Sequence, residues 1–401
     1  MKLVSNQINP HFTLLDSLHA VGSLVIGQGH TKLDSFFEQE FYTKNIVFTN
    51  TARSALGLIC DTVNPDKGKR IALPAFICAV VATPFLARGY EIEWIDTDDN
   101  GLIDVEDFKA KAGKVSLVVV PHIFGQLSPL KAIKEIAVEH DIFVVEDSAH
   151  AIRQFLPHYK PLADAQILSF GREKVISCVS GGALIWPENA SYHQAFSALK
   201  NKLRKPSLSW VFRHALQPLI FSLSLPWWHH GGKIIPWLAR KIKLLPLAVT
   251  SAEKKGLEDF PVTALGLPQK RILARQIELH EVRTIHAQAM ALAWCQTLEP
   301  NFPTENFIIP TNAFRTLMLA KAPHTKEDLL FELKQAQAPY HLSDWDGVPI
   351  SPQGVHYKKF FYRPGQCPSA EYFARTYLTF PTNIRTNKAD IKAFAKYVKA
   401  H

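Results

Sequence analysis

Two short runs near the middle of the chain hold residue types that could do chemistry together. The first is Glu146-Asp147-Ser148-Ala149-His150; the second, a strand-loop-strand length later, is Ser169-Phe170-Gly171-Arg172-Glu173-Lys174. A lysine amine condenses with an aldehyde, a carboxylate at the end of a buried strand keeps a ring nitrogen protonated, and hydroxyl and backbone N–H donors bind phosphate. Those are the requirements of pyridoxal 5'-phosphate, and all three residue types occur in a workable order. Lys174 is therefore the residue on which the reading turns.

The elements that must position these residues alternate. Ile46-Val47-Phe48 precedes a helical stretch from Ser54 to Val63, Arg70 to Leu73 precedes Phe76 to Ala87, and Glu91 to Ile95 precedes Val105 to Ala112. Ser116 to Pro121, Leu130 to His140, Ile142 to Val145, Ala165 to Phe170 and Gly182 to Trp186 continue the pattern. Near-continuous apolar strands separated by helices predict an α/β fold with a mostly parallel sheet covered on both faces. Ligands of such sheets collect beyond the carboxyl ends of the strands. Asp147, the turn Thr49-Asn50-Thr51-Ala52-Arg53 and Pro121-His122 should meet there. Further on, a helix from Leu267 to about Leu298, strands at Phe307-Ile308-Ile309 and Arg315 to Leu319, and helices from Lys326 to Gln337 and Lys388 to Lys399 predict a smaller α+β domain. Thr325 is expected to cap the second of these helices.

Composition sets the frame. The chain has 401 residues, 47% hydrophobic and 20% charged, as in an ordinary globular protein of one large and one smaller domain. Cys60, Cys78, Cys178, Cys295 and Cys367 are odd in number and widely spaced, without C-x-x-C, so neither a disulfide framework nor a zinc site is expected. Cys178 reads as a small buried hydrophobe, and His229-His230 lacks a third ligand at metal spacing. The first residues lack a signal peptide's apolar core, and no apolar run reaches the roughly 18 residues of a membrane span. A cytoplasmic location is expected.

Several motifs in the same order resemble the DegT/DnrJ/EryC1/StrS family of pyridoxal-phosphate sugar aminotransferases: Gly27-Gln28-Gly29, Phe36-Phe37-Glu38, Pro74-Ala75-Phe76, Phe124-Gly125-Gln126 and the S-F-x-x-x-K run ending at Lys174. The resemblance implies the type I pyridoxal-phosphate transferase fold. Its large domain, residues 1–260, would hold a mostly parallel seven-stranded sheet, with a small α+β domain at 261–401. It implies that Lys174 is the covalent and catalytic lysine, that Asp147 pairs with the ring nitrogen, and that His150 lies near the cofactor's 3' oxygen. Ser169 and the turn Thr51-Ala52-Arg53 would bind the phosphate, with Arg53 able to add a direct charge. Read on its own, Thr51 or Asn50 is equally a helix cap, and His150 equally a core histidine. Two departures stand out. Cys78 occupies a position often aromatic in the family and stacked on the cofactor, with Phe76 nearby. The G-x-N-x-R stretch that reaches the neighbouring subunit is replaced near Val262-Thr263-Ala264-Leu265-Gly266-Leu267-Pro268.

The net charge of +9 has one source. From Asn189 to Ala252 there is no acid but nine lysines and arginines, and the other 36 basic residues balance 36 acids. Residues 200–250 also carry Trp210, Trp227, Trp228 and Trp237, half of the eight tryptophans. Pro218, Pro226 and Pro236 should cut the segment into pieces too short to span a bilayer. Such a composition suits helices lying on an anionic membrane, and equally a helical hairpin packed on a partner subunit. Nucleic acid is not an expected partner, because no recognised module accompanies the charge.

The expected reaction is transfer of an amino group, from glutamate by family resemblance, to a keto sugar, nucleotide-linked, in surface-polysaccharide or related glycan biosynthesis, by a homodimer. A lipid-linked acceptor follows if the insert binds membrane. The alternatives are a cofactor-binding sensor without turnover and a pyridoxal-phosphate lyase or dehydratase on the same fold.

Overall fold

The computed structural model describes residues 4–5, 12–25, 31–41, 43–63, 68–151, 162–188, 192–258, 261–300, 302–310, 316–319, 325–335, 338, 340–342, 345 and 347–400. Gly27-Gln28-Gly29 and Arg315 lie outside them. Seven strands form the main sheet: β1 (Ile46–Thr49), β2 (Arg70–Pro74), β3 (Glu91–Ile95), β4 (Leu117–Pro121), β5 (Phe143–Asp147), β6 (Ala165–Ser169) and β7 (Gly182–Ile185). Their spatial order is β1-β7-β6-β5-β4-β2-β3. Only β7 runs antiparallel to its neighbours, β1 and β6; the other pairs are parallel. The strands are buried almost throughout, which is why they read as apolar runs rather than alternating ones. Strands β1 to β6 end at one edge of the sheet, and β7 starts there.

Two expected helices differ in the structure. The helix expected from Phe76 starts at Ala79, because Ile77–Cys78 pairs in parallel with Ile350–Ser351. The long helix expected from Leu267 is two, Leu267–Glu278 and His280–Leu298, parting at Leu279. No glycine or proline marks that break, so the pattern ran through it.

The C-terminal part centres on a three-stranded antiparallel sheet of Phe307–Ile308, Thr316–Leu319 and Tyr377–Phe380. Helix Lys388–Ala400 packs on it with His280–Leu298, burying Trp294, Phe380 and Phe394 together. Helix Lys326–Gln335 starts at Thr325, whose hydroxyl accepts the Asp328 N–H at 3.2 Å while the Asp328 carboxylate accepts the Thr325 N–H at 3.3 Å. Two elements cross the boundary expected at residue 260. Val4–Ser5 pairs with Tyr340–His341, and Ile272 and Leu273 share a core with Phe12, Phe37 and Phe48.

The basic insert folds as helices His193–Lys202, Leu208–Ser224 and Ile234–Lys241, the last two joined by a 3-10 turn, Leu225–His230. Pro218 does not end its helix, contrary to expectation; it only denies the His214 carbonyl, four residues earlier, its helical donor. The helix packs on Leu14–Gly22, with a buried 2.8 Å hydrogen bond between the hydroxyls of Ser17 and Ser222. Among the described residues no helix is long and apolar enough to cross a membrane.

Candidate active site

The register of β7 builds the site. Gly182 stands opposite Thr49 on one side and Ser169 on the other, so the helix after β1 and the end of β6 flank one glycine. A Cβ at Gly182 would lie 2.5 Å from the backbone nitrogen and Cα of Ala52, so only glycine allows this approach. Beside it opens a cavity of about 400 Å³ lined by all eight residues singled out in the sequence: Thr51, Ala52, Arg53, Cys78, Asp147, His150, Ser169 and Lys174.

Thr51 is the N-cap of helix Ala52–Thr62, its hydroxyl accepting the Ser54 N–H at 3.0 Å. The capping role holds for that side chain, which leaves the main-chain N–H groups and positive dipole of the helix start to meet an anion. The turn is fixed from behind. Asn50 accepts from the Ser54 hydroxyl at 2.7 Å and donates to the Pro261 carbonyl at 3.0 Å, and its own N–H donates to the Thr263 carbonyl at 2.9 Å. The stretch around Thr263, where G-x-N-x-R is missing, thus braces the Thr51-Ala52-Arg53 turn. Arg53 forms an ion pair with the fully buried Glu253, so its charge is balanced within the chain.

Asp147 ends β5, buried, with one oxygen accepting the Ala149 N–H at 2.9 Å. Burial pushes its carboxyl up, despite that N–H and the nearby Lys174 charge. A cationic ring N–H brought against it would relieve this penalty. His150 accepts the Phe124 N–H at its Nδ1, 3.1 Å away, and its Nε2 lies 2.7 Å from Nζ of Lys174. With Nδ1 accepting, the proton of a neutral ring sits on Nε2. The Lys174 amine thus lies within hydrogen-bonding distance of the imidazole, in the same cavity as Asp147. Phe124 stacks on the His150 ring at 5.5 Å and 18°.

Cys78 is half-buried at the start of helix Ala79–Leu86, its thiol pushed up by burial. Phe76 does not take over as a ring at the cavity. It is fully buried against Trp345, Phe373 and Tyr377. The aromatic walls are instead Phe124 and Trp345.

His122, expected at this edge, is indeed there: buried beside Asp147, it holds Glu146 at 2.9 Å through Nε2 and accepts the Ser128 N–H at Nδ1, 3.0 Å away, while its own N–H donates to the Asp147 carbonyl. Sequence reasoning missed several lining residues. The insert lines the cavity too, through His214, Gln217 and Pro246 to Val249. The spacing of His214 and Gln217, three apart on one helix, shows only that they share a face, not which surface that face covers.

Solved structures share this fold along almost the whole chain. Helicobacter pylori PseC, an aminotransferase involved in the biosynthesis of pseudoaminic acid, superposes with a TM-score of 0.71 at 15% identity, covering 100% of this chain and 99% of that one. The putative sugar aminotransferase Spr1654 from Streptococcus pneumoniae, in its PMP-form, gives 0.72 at 14% identity over 98% of each chain. The fold is that of the type I pyridoxal-phosphate transferases. Residues 12–208, just under half of the chain, match the DegT/DnrJ/EryC1/StrS aminotransferase family. GDP-perosamine synthase of Vibrio cholerae is 25% identical over 157 residues, 37% of this chain and 43% of the relative. The Spore coat polysaccharide biosynthesis protein SpsC of Bacillus subtilis (strain 168) is 30% identical over 159 residues, 37% and 40% of the two chains. The chain thus spans less than half the length of these relatives.

Proposed function

We propose that the protein is a pyridoxal 5'-phosphate-dependent aminotransferase that moves an amino group, with glutamate as donor, to a nucleotide-linked keto sugar in the making of a surface polysaccharide or related glycan. The observation that carries this reading is the meeting of Lys174, Asp147, Ser169 and the helix start at Ala52 in one cavity. The residues fit the cofactor: a buried acid whose carboxyl is pushed up by burial, a lysine amine in the same cavity, and a glycine-opened cradle at a helix N-terminus. That similar proteins are a GDP-perosamine synthase and a sugar transaminase favours transfer over the sensor and lyase readings.

When bound, the cofactor supplies an aldehyde that takes amines and a ring that withdraws electrons. Lys174, its Nζ 2.7 Å from Nε2 of His150, is the amine placed to act as the nucleophile. The same Nζ is the base within reach to carry a proton from the donor's α-carbon. Asp147 holds the ring-nitrogen proton. Ser169 and the N–H groups of Ala52 and Arg53 hold the phosphate, and Phe124 keeps the His150 ring in place. A homodimer, a cytoplasmic location and the division at residue 260 belong to the same reading.

A second observation favours contact with the inner face of a membrane. On the insert, Trp227 is 65% and Ile242 72% exposed, beside exposed Ile234, Trp237 and Leu238, and Lys233, Arg240, Lys241 and Lys243 surround them. Apolar residues next to cations, with no acid nearby in sequence, suit an anionic lipid surface.

The reaction is tested by the visible spectrum of the protein with pyridoxal phosphate before and after L-glutamate, with Lys174→Ala as control. The expected result is a band that requires Lys174 and is bleached by glutamate. A band indifferent to every amino donor would overturn the aminotransferase reading, and no band would remove the cofactor.

A further inference from the structure

We propose that His214 and Gln217, on the insert helix Leu208–Ser224, form the subsite that reads ring hydroxyls of the acceptor sugar. The inference rests on the aminotransferase reading and adds a substrate-recognising role for a segment that no motif covers.

The two side chains sit three residues apart on one helix and both line the cavity. They are nearly withdrawn from solvent, at 8% and 4% exposure. Nδ1 of His214 lies 2.7 Å from the Trp210 carbonyl and must donate to it, which fixes the tautomer and leaves Nε2 as a bare acceptor. The ring is further held by stacking on Trp210, centroids 4.0 Å apart. Burial pushes the imidazole down to about 4, so it is neutral and remains an acceptor at physiological pH. Gln217 lines the same cavity, and its amide offers two donors and an acceptor.

The pair is therefore a neutral site, with a fixed acceptor beside a group that both donates and accepts. Hydroxyls on adjacent ring carbons match that pattern, since each O–H can donate to one group and accept from another. A carboxylate donor such as glutamate does not match, because His214 Nε2 offers no proton. Pro246, Leu247 and Val249 add an apolar wall to the same cavity, suited to the carbon face of a sugar ring. Ligand hydroxyls bound this way confer selectivity because an analogue lacking them leaves buried polar groups unpaired.

The test splits the reaction into halves. His214→Phe keeps a ring for Trp210 but removes the acceptor, and Gln217→Leu keeps volume but removes the amide; melting temperature and the visible band of each with pyridoxal phosphate verify folding. Bleaching of the band by L-glutamate reads the donor half. Its recovery, after conversion by glutamate, on adding dTDP-4-keto-6-deoxyglucose or UDP-linked 4-keto-6-deoxy-N-acetylglucosamine reads the acceptor half. The expected result is an unchanged glutamate rate with kcat/KM for the better sugar lower by about 10-fold for each variant, mainly through KM. Unchanged sugar kinetics, or equal losses in both halves, would overturn the proposal. If the unsubstituted protein is bleached by glutamate but restored by neither sugar while 2-oxoglutarate restores it, the keto-sugar reading itself fails, a result distinct from variants that merely match the parent.

Discussion

Arg53, at the start of the helix that faces the proposed phosphate site, is ion-paired with Glu253, the first acid after the acid-free stretch from Asn189 to Ala252. The insert thus returns to the site on a single buried charge, itself held by the Thr250 N–H at 2.8 Å. A basic segment beside a phosphate cradle would otherwise raise the local positive charge further.

Glu253→Gln removes the fully buried charge that is ion-paired with Arg53. Loss of one member of such a pair costs about 3 kcal/mol. Chemical denaturation should show that loss, and a change within about 0.5 kcal/mol would mean that the pair contributes little.

Asp147→Asn removes the carboxylate proposed to hold the ring proton while keeping the shape. The band that requires Lys174 should persist, while bleaching by L-glutamate slows at least about 100-fold. Single-turnover absorbance measures it, and a full-speed variant would deny Asp147 its role.

Acid should destabilise the fold through two buried histidines. His214 and His280 are both pushed down to about 4 by burial, from an ordinary value near 6.5. Between those values the unfolded chain binds protons that the folded one refuses, so their contribution is complete above about pH 6.5 and is lost as pH falls toward 4. Asp147, raised by burial, acts in the opposite sense but does so equally in a variant. In His214→Phe the stability change between pH 6.5 and 4 should therefore be shallower, by up to about 1.4 kcal/mol per pH unit. Parallel pH profiles would contradict this.

Gly182→Ala places a methyl against the backbone of Ala52. Overpacking of this kind costs about 1–3 kcal/mol, and the displaced helix start should weaken cofactor binding. Calorimetric titration with pyridoxal phosphate would show the second effect, which a purely structural change elsewhere in the sheet would not produce.

Flotation with vesicles containing anionic phospholipid should carry the protein upward at low salt, and neutral vesicles should not. Replacing Trp237 and Ile242 by serine should abolish flotation without altering the visible band. Failure of the unsubstituted protein to float would end the membrane reading.

What the sequence determined by itself was local and periodic. Apolar runs separated by helical stretches announced the parallel sheet, because strands buried on both faces have no polar alternation. Lys174, Asp147, Ser169 and the Thr51-Ala52-Arg53 turn were legible because each ends or follows a strand, where such sheets gather their chemistry. Tertiary structure decided what depends on distant partners. Arg53 meets Glu253 across 200 residues, Trp345 rather than Phe76 walls the cavity, and Ile77–Cys78 forms a strand only because Ile350–Ser351 lies beside it. The insert's place at the site was equally hidden, since nothing local to His214 and Gln217 says which surface their helix covers. Contacts of that kind are set by how packed elements come together, a long-range outcome that neighbouring residues do not encode.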